Sequence, residues 1–267
     1  MYEEYLSFAI DIAKEAKVIN EKYFDKSMEK GYKEDKTIVT TADKEINDYL
    51  IKMVKEKYPD HCVLGEEASM GKSEKMWICD PIDGTAMFAR GIPTSVFSLA
   101  YAEDGVPLVG VVYDVFTDNL YTAIKGKGAF CNGKEIHVSD VSLDDMSSVC
   151  HYDMWPKAEY NIYDVIKELG KKTYFVSIGS IIRASVAVAR GEFTACIFPG
   201  TKGKNVDMAA VKVIVEEAGG RVTNFYNKED KYDRDIHGSI ISNGIVHDEI
   251  YETIVKHCNI CNDIMQI

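Results

Sequence analysis

Asp80 and Asp83 close an apolar run in "WICDPIDGT", residues 77 to 85, with only Pro81 and Ile82 between them. Proline disfavours helical geometry in the residue before it, so "KMWIC" is predicted to arrive as a strand that ends at Asp80. Asp83-Gly84-Thr85 then reads as a sharp turn opening a short helix. Such a junction aims two carboxylates and the amides of Gly84 and Thr85 into one space. Amides at a helix start attract anions, phosphate above all, whereas carboxylates repel them. A cation between the two resolves the conflict. Magnesium has the right chemistry, since it combines a few carboxylates with substrate phosphate oxygens and several waters. An Asp-Gly turn after a buried strand is also a common structural device, so this stretch alone leaves both readings open.

Two other segments supply further acids. In "VLGEEAS", Glu66 and Glu67 follow an apolar strand and a glycine; in "KNVDMAAVKVIVEEAGG", Asp207 opens a helix closed by Gly219 and Gly220. Taken singly, paired glutamates make a solvated turn and an aspartate before an apolar helix makes an N-cap. The combination is what points to a site.

The scaffold that must carry these residues follows from hydrophobic periodicity. Tyr5, Ala9, Ile12, Ala16, Ile19 and Tyr23 recur at alternating spacings of four and three, an amphipathic helix, and a second helix is expected from about Ala42 to Tyr58, stopped by Pro59. Between residues 63 and 138 come short β-rich runs with turn signals such as Asp104-Gly105, which predicts a mostly antiparallel sheet. Strands and helices then alternate, among them helices over "AEYNIYDVIKELG", "SIIRASVAVARG" and "DMAAVKVIVEEAGG" and a last one from about His247, the mark of an α/β half. Without repeat, low-complexity tract or linker, the N-terminal α+β half (1–140) and the C-terminal α/β half (141–267) are expected to form one catalytic unit, 1–267.

With 267 residues, 46% apolar and 28% charged, the chain has globular composition. The net charge of −12 argues against a long nucleic acid as partner, because that affinity comes largely from neutralised phosphates. No stretch approaches the roughly 18 uninterrupted apolar residues of a membrane span, and no basic flank precedes an apolar core at the N-terminus, so a soluble cytoplasmic protein with no membrane partner is expected. Seven cysteines, an odd number scattered through strand-like segments, suit a reducing compartment. Cys258 and Cys261 form a C-x-x-C that reads either as the end of a C-terminal helix or as half of a metal or redox site.

The motifs "GEE" (65 to 67), "WICDPIDGT" (77 to 85), "GVVYDV" (110 to 115), "GKGAFCNG" (126 to 133) and "VDMAAVKVIVEEAGG" (206 to 220) resemble the inositol monophosphatase-like phosphatases, a magnesium-dependent, lithium-sensitive family that includes fructose-1,6-bisphosphatases and bisphosphate nucleotidases. The likeness runs through nearly the whole chain. It implies an α+β fold, a layered α-β-α-β-α sandwich, and a homodimer. It also implies two or three Mg2+ ions, with Glu66, Asp80 and the carbonyl of Ile82 on one and Asp80, Asp83 and Asp207 on a second. Asp43 and Thr85 would then orient and deprotonate the attacking water, and Glu67 would support further bound water. Asp43 lies in "DKTIVTTADKEI", where Thr40-x-x-Asp43 fits a capping box equally well, and Lys36 there reads as an exposed loop lysine or as a neighbour of the metals.

The resemblance further implies that Gly84 and Thr85 meet the phosphate and that the turn Gly179-Ser180 meets sugar hydroxyls. Two departures concern the substrate. The family's tryptophan before the last metal aspartate is Val206 here, and the acid expected near Phe198 to Gly200 to meet hydroxyls is absent. Arg183, Lys202 and Lys204 offer instead a site for a second anionic group, or are solvated cations. The expected activity is therefore hydrolysis of a small polyol or sugar phosphate; the alternatives are fructose 1,6-bisphosphate, a 3'(2'),5'-bisphosphate nucleotide, or a metal-binding regulatory protein of the same fold.

Overall fold

The computed structural model describes residues 2–24, 30–32, 38–155, 158–200, 205–258 and 260. Among them, helix α1 (Glu3–Tyr23) precedes a ribbon of β1 (Lys30–Tyr32) and β2 (Ile38–Thr40) and helix α2 (Thr41–Lys57). A seven-stranded sheet follows in chain order: β3 (Cys62–Gly65), β4 (Lys75–Asp83), β5 (Val96–Glu103), β6 (Val106–Asp114), β7 (Asn119–Ile124), β8 (Ala129–Cys131) and β9 (Lys134–Glu135), with α3 (Thr85–Phe88) between β4 and β5. β3 runs parallel to β4 and the later pairs are antiparallel. Then come β10 (Val149–Tyr152), α4 (Tyr163–Leu169), β11 (Tyr174–Val176), α5 (Ile181–Ala189), β12 (Ala195–Phe198), α6 (Asn205–Glu217), β13 (Arg221–Thr223), β14 (Ser239–Ser242) and α7 (His247–Cys258). Their strands form a second sheet, ordered β11-β10-β12-β14-β13, in which β10, β11 and β12 are parallel and β14 is antiparallel to both neighbours.

Helices α1 and α2 cover one face of the large sheet, α5 and α6 fill the space between the sheets, and α4 and α7 cover the far face of the second. This is the expected α-β-α-β-α sandwich. Burial on both faces explains why the strands read as continuous apolar runs, and the period of two sorts their side chains. Trp77, Cys79, Phe97, Leu99 and Tyr101 pack with Phe8, Ile12, Ile46 and Leu50 of α1 and α2. Their neighbours Met76, Ile78, Ala100 and Ala102 pack with Ile182, Val186, Met208 and Ile214 of α5 and α6. At Gly110 an added Cβ would stand 2.6 Å from the Ala210 carbonyl, so α6 lies flush on β6 because that residue has no side chain. Close docking of α6 fixes where its first turn, and Asp207, comes to rest.

Two expectations need correction. β4 does not stop at Asp80 but runs to Asp83: Pro81 breaks only part of the ladder, and pairing with β5 resumes after a register shift. The helix expected over "AEYNIYDVIKELG" forms only from Tyr163 to Leu169. The amides of Glu159 and Tyr160 are taken by the carbonyls of Gly200 and Pro199 at 2.8 and 3.2 Å, and the Asn161 side chain accepts from the Tyr163 amide at 3.1 Å. Bonds to the chain leaving β12 outcompete local helix propensity there.

Cys62, Cys79, Cys131, Cys150 and Cys196 are buried free thiols and Cys258 is half-buried; Cys261 lies outside the described residues. No helix among the described residues is long and apolar enough to cross a membrane.

At the start of α7, His247 is buried, with Nδ1 2.8 Å from Ser242 Oγ and Nε2 2.9 Å from Thr223 Oγ1. Burial, reinforced by the charge of Arg221, pushes its pKa down to about 4. The folded state thus binds fewer protons than the unfolded state between that value and the usual 6.5, so His247 costs stability as pH falls through this window and the cost saturates below it. The loss at pH 4 is expected to be about 3 kcal/mol, and His247→Gln should flatten the acid side of a curve of unfolding free energy against pH, from denaturant titrations, by that amount.

Candidate active site

β4 is buried along nearly its whole length and delivers Asp80 and Asp83 to the edge of the core. With no amide at Pro81, pairing passes from Asp80 opposite Ser98 to Asp83 opposite Val96 across an irregularity. Asp80 Oδ1 accepts from the Ile82 amide at 3.0 Å, which ties the kinked backbone to its own carboxylate. Gly84 follows with φ +85°, left-handed backbone that costs glycine nothing, and a Cβ there would lie 2.8 Å from the Gly179 carbonyl. The two glycine turns therefore touch backbone to backbone.

Asp83 is received by the start of α5, where its Oδ2 accepts from Ser180 Oγ at 2.5 Å and from the Ile182 amide at 2.8 Å. Ser180 Oγ also caps α5 by accepting from the Arg183 amide at 3.1 Å. A carboxylate at a helix N-terminus is favourably placed in the helix dipole.

Glu66 arrives on the exit of β3, whose parallel pairing sets Gly65 beside Cys79; the Glu66 amide donates to the Cys79 carbonyl at 3.1 Å. Asp207, in the first turn of α6, is 2% exposed and Asp80 is 1% exposed, so both are carboxylates held in the protein interior. Glu66, Asp80, Ile82, Asp83, Gly84, Thr85 and Asp207 all line a single cleft of about 430 Å3. Among the described residues no group of three or more His, Cys, Asp or Glu side chains already has metal-holding geometry, so coordination would draw these carboxylates closer together. The donor set is nonetheless all oxygen and mostly anionic, which fits a hard divalent ion, and like charges gathered in one cleft repel until a cation joins them.

Behind the cleft lies Asp43, fully buried at the start of α2. Its Oδ2 accepts from the Thr40 amide at 2.8 Å and from Thr40 Oγ1 at 2.5 Å, and its amide donates to Thr40 Oγ1 at 3.4 Å, so the capping box is present. Oδ1 faces elsewhere. Thr85 Oγ1 stands 3.3 Å from it and 2.8 Å from the Ile82 carbonyl, the nearer acceptor. Burial pushes Asp43 up to about 7 against the Thr40 hydrogen bonds, and the charges of Glu67 and Glu66 push the same way.

Not every expected site residue joins this cleft. Gly179 lines it and Ser180 meets it through Asp83, but Arg183 turns into an ion pair with Asp114, Nε to Oδ2 2.9 Å, in a neighbouring depression shared with Arg190 and Glu192. Lys36, Lys202 and Lys204 lie outside the described residues. The cleft has a wall that the motifs did not announce, made by Asp153, Met154, Trp155 and Phe198. Nothing in the local sequence marks these residues, because their meeting depends on the pairing of β10 with β12.

Residues 1–261 match the model of the inositol monophosphatase family. A fructose-1,6-bisphosphatase/inositol-1-monophosphatase of Thermotoga maritima is 34% identical over 226 residues, 82% of this chain and 83% of that one. Among solved structures, a Thermotoga maritima inositol monophosphatase superposes with a TM-score of 0.85 at 29% identity, covering 95% of this chain and 97% of the other. An inositol monophosphatase/NADP phosphatase solved with Mg2+ and phosphate superposes with a TM-score of 0.82 at 26% identity over 94% and 95% of the two chains. Family members hydrolyse phosphoric monoesters and in general depend on magnesium. The chain, a phosphatase by this descent, belongs to the inositol monophosphatase family.

Proposed function

We infer that this phosphatase hydrolyses the phosphate monoester of a small polyol or sugar with the aid of Mg2+. The observation that carries the reading is the convergence of acids from β4, the exit of β3 and the start of α6 on one cleft, beside the amide-bearing turn at Gly84. Glu66, Asp80 and the Ile82 carbonyl would hold one ion, and Asp80, Asp83 and Asp207 a second, with Glu67 supporting further metal-bound water. Bound there, the ions would neutralise charge on the phosphoryl group and make water acidic enough to lose a proton near neutral pH.

The protein's own contribution is positioning and proton handling. Thr85 Oγ1 lies between two acceptors, so a rotation of its hydrogen from the Ile82 carbonyl to Asp43 Oδ1 frees an oxygen lone pair to take a hydrogen bond from the attacking water. Asp43, raised by burial, is a stronger base than an exposed aspartate and is fitted to receive that proton. Water adds to phosphorus as the ester oxygen departs and is protonated, giving inorganic phosphate and the free alcohol. No protein nucleophile is required. Lithium sensitivity, a homodimer and a cytoplasmic location go with the same reading.

The relative from Thermotoga maritima carries both activities in its name, which makes fructose 1,6-bisphosphate the competitor to compare. Phosphate release should be measured from myo-inositol 1-phosphate, fructose 1,6-bisphosphate and 3'-phosphoadenosine 5'-phosphate, with Mg2+ and with a chelator. The polyol monophosphate is expected to have the highest kcat/KM, and the chelator to reduce turnover by about 10²-fold or more. Failure of all three substrates, or turnover indifferent to the chelator, would overturn the reading.

A further inference from the structure

Three parallel strands of the second sheet end at the cleft. β11 leads into Ser177 and Gly179, β10 into Asp153 and Trp155, and β12 ends at Phe198; ligands in such sheets sit outside the carboxyl ends of the strands. The register sets His151 beside Cys196 and Tyr152 beside Ile197, and the Asp153 amide donates to the Ile197 carbonyl at 3.3 Å. Asp153 therefore stands beside Phe198. That is where the chain lacks the hydroxyl-binding acid expected between residues 198 and 200, and the adjacent strand supplies a carboxylate instead.

We propose, on the basis of the phosphatase reading above, that Asp153 determines specificity: its carboxylate accepts hydrogen bonds from hydroxyls on the alcohol part of the substrate and so selects a neutral polyol or sugar over an alcohol bearing a second phosphate. The side chain is held for this task. Ser177 Oγ donates to Asp153 Oδ1 at 3.3 Å, and His151 Nε2 lies 3.5 Å from the same oxygen. His151 is fully buried, and neither of its ring nitrogens makes a hydrogen bond among the described residues, so its imidazole is a polar group in the interior with the Asp153 carboxylate within ion-pair distance. Both contacts fall on Oδ1, while the side chain is 19% exposed on the cleft wall, which leaves Oδ2 for a ligand.

Chemistry sets the selectivity. A carboxylate only accepts hydrogen bonds, so it pairs with vicinal hydroxyls and repels another anion. Trp155 completes the wall, its ring 5.2 Å from Phe198 and tilted by 44°, an apolar surface for the C–H face of a sugar or cyclitol ring.

The test compares wild type, Asp153→Ala and Asp153→Asn on myo-inositol 1-phosphate and on p-nitrophenyl phosphate, whose leaving group carries no other hydroxyl. For the polyol ester, Asp153→Ala should lower kcat/KM about 10-fold or more, chiefly through KM, with Asp153→Asn intermediate, whereas the aryl ester should change by less than about twofold. Retained aryl turnover also shows that the variants fold. Equal losses on both substrates, or an unchanged KM for the polyol ester, would overturn the proposal and leave the phosphatase reading standing. Wild type inactive on both would overturn the two together.

Discussion

Replacing Asp83 by Asn is expected to lower magnesium-dependent phosphate release by about 10²-fold or more while leaving the folded structure in place. The two halves of that expectation come from different oxygens' needs. Structurally, Asp83 Oδ2 accepts from Ser180 Oγ and the Ile182 amide, and the carbonyl oxygen of an asparagine can accept both. The turn at Gly84 and the start of α5 should therefore survive, with a Tm close to that of wild type. Chemically, asparagine removes a full negative charge from a cleft that must attract a divalent ion. Turnover at saturating substrate and Mg2+, set beside a melting curve, separates the two. An Asp83→Asn protein with wild-type turnover would remove Asp83 from the metal assignment.

Some of this architecture is legible in the sequence because it is local. The stripe from Tyr5 to Tyr23 forms α1, with Ala9, Ile12, Ala16 and Ile19 buried, since a 3.6-residue period needs no information from the rest of the chain. Gly84 is equally local: an Asp-Gly step before a short helix demands left-handed backbone, and φ is +85°. At Asp43 the capping box read from Thr40-x-x-Asp43 forms, and because a carboxylate has two oxygens, Oδ2 closes it with Thr40 while Oδ1 stands 3.3 Å from Thr85 Oγ1.

What sequence reading misjudged is non-local. Pro81 signals the end of a strand, yet β5 recaptures the chain at Asp83 because a missing amide costs only one rung of the ladder. Arg183 reads as a cation available to a substrate, but Asp114, from the end of β6, pairs with it. Asp153 carries no motif at all, and only the parallel register of β10 with β12 brings it to the cleft.

The second large effect belongs to Asp207, which comes from the far end of the chain and joins the cleft through the docking of α6 on the large sheet. The residue is 2% exposed and lines the same cleft as Asp80 and Asp83. A divalent ion shared with Asp80 and Asp83 would draw on its negative charge. Asp207→Asn keeps the volume and removes the charge, so it should lose metal affinity without opening a cavity in the core. Calorimetric titration of metal-stripped protein with Mg2+ reads this directly, without any assumption about substrate. Wild type is predicted to bind about two ions per chain, and Asp207→Asn to lose one of them together with about 10²-fold of turnover. Identical stoichiometry and affinity in the two proteins would contradict the claim that acids from separate segments of the chain hold a common set of divalent ions.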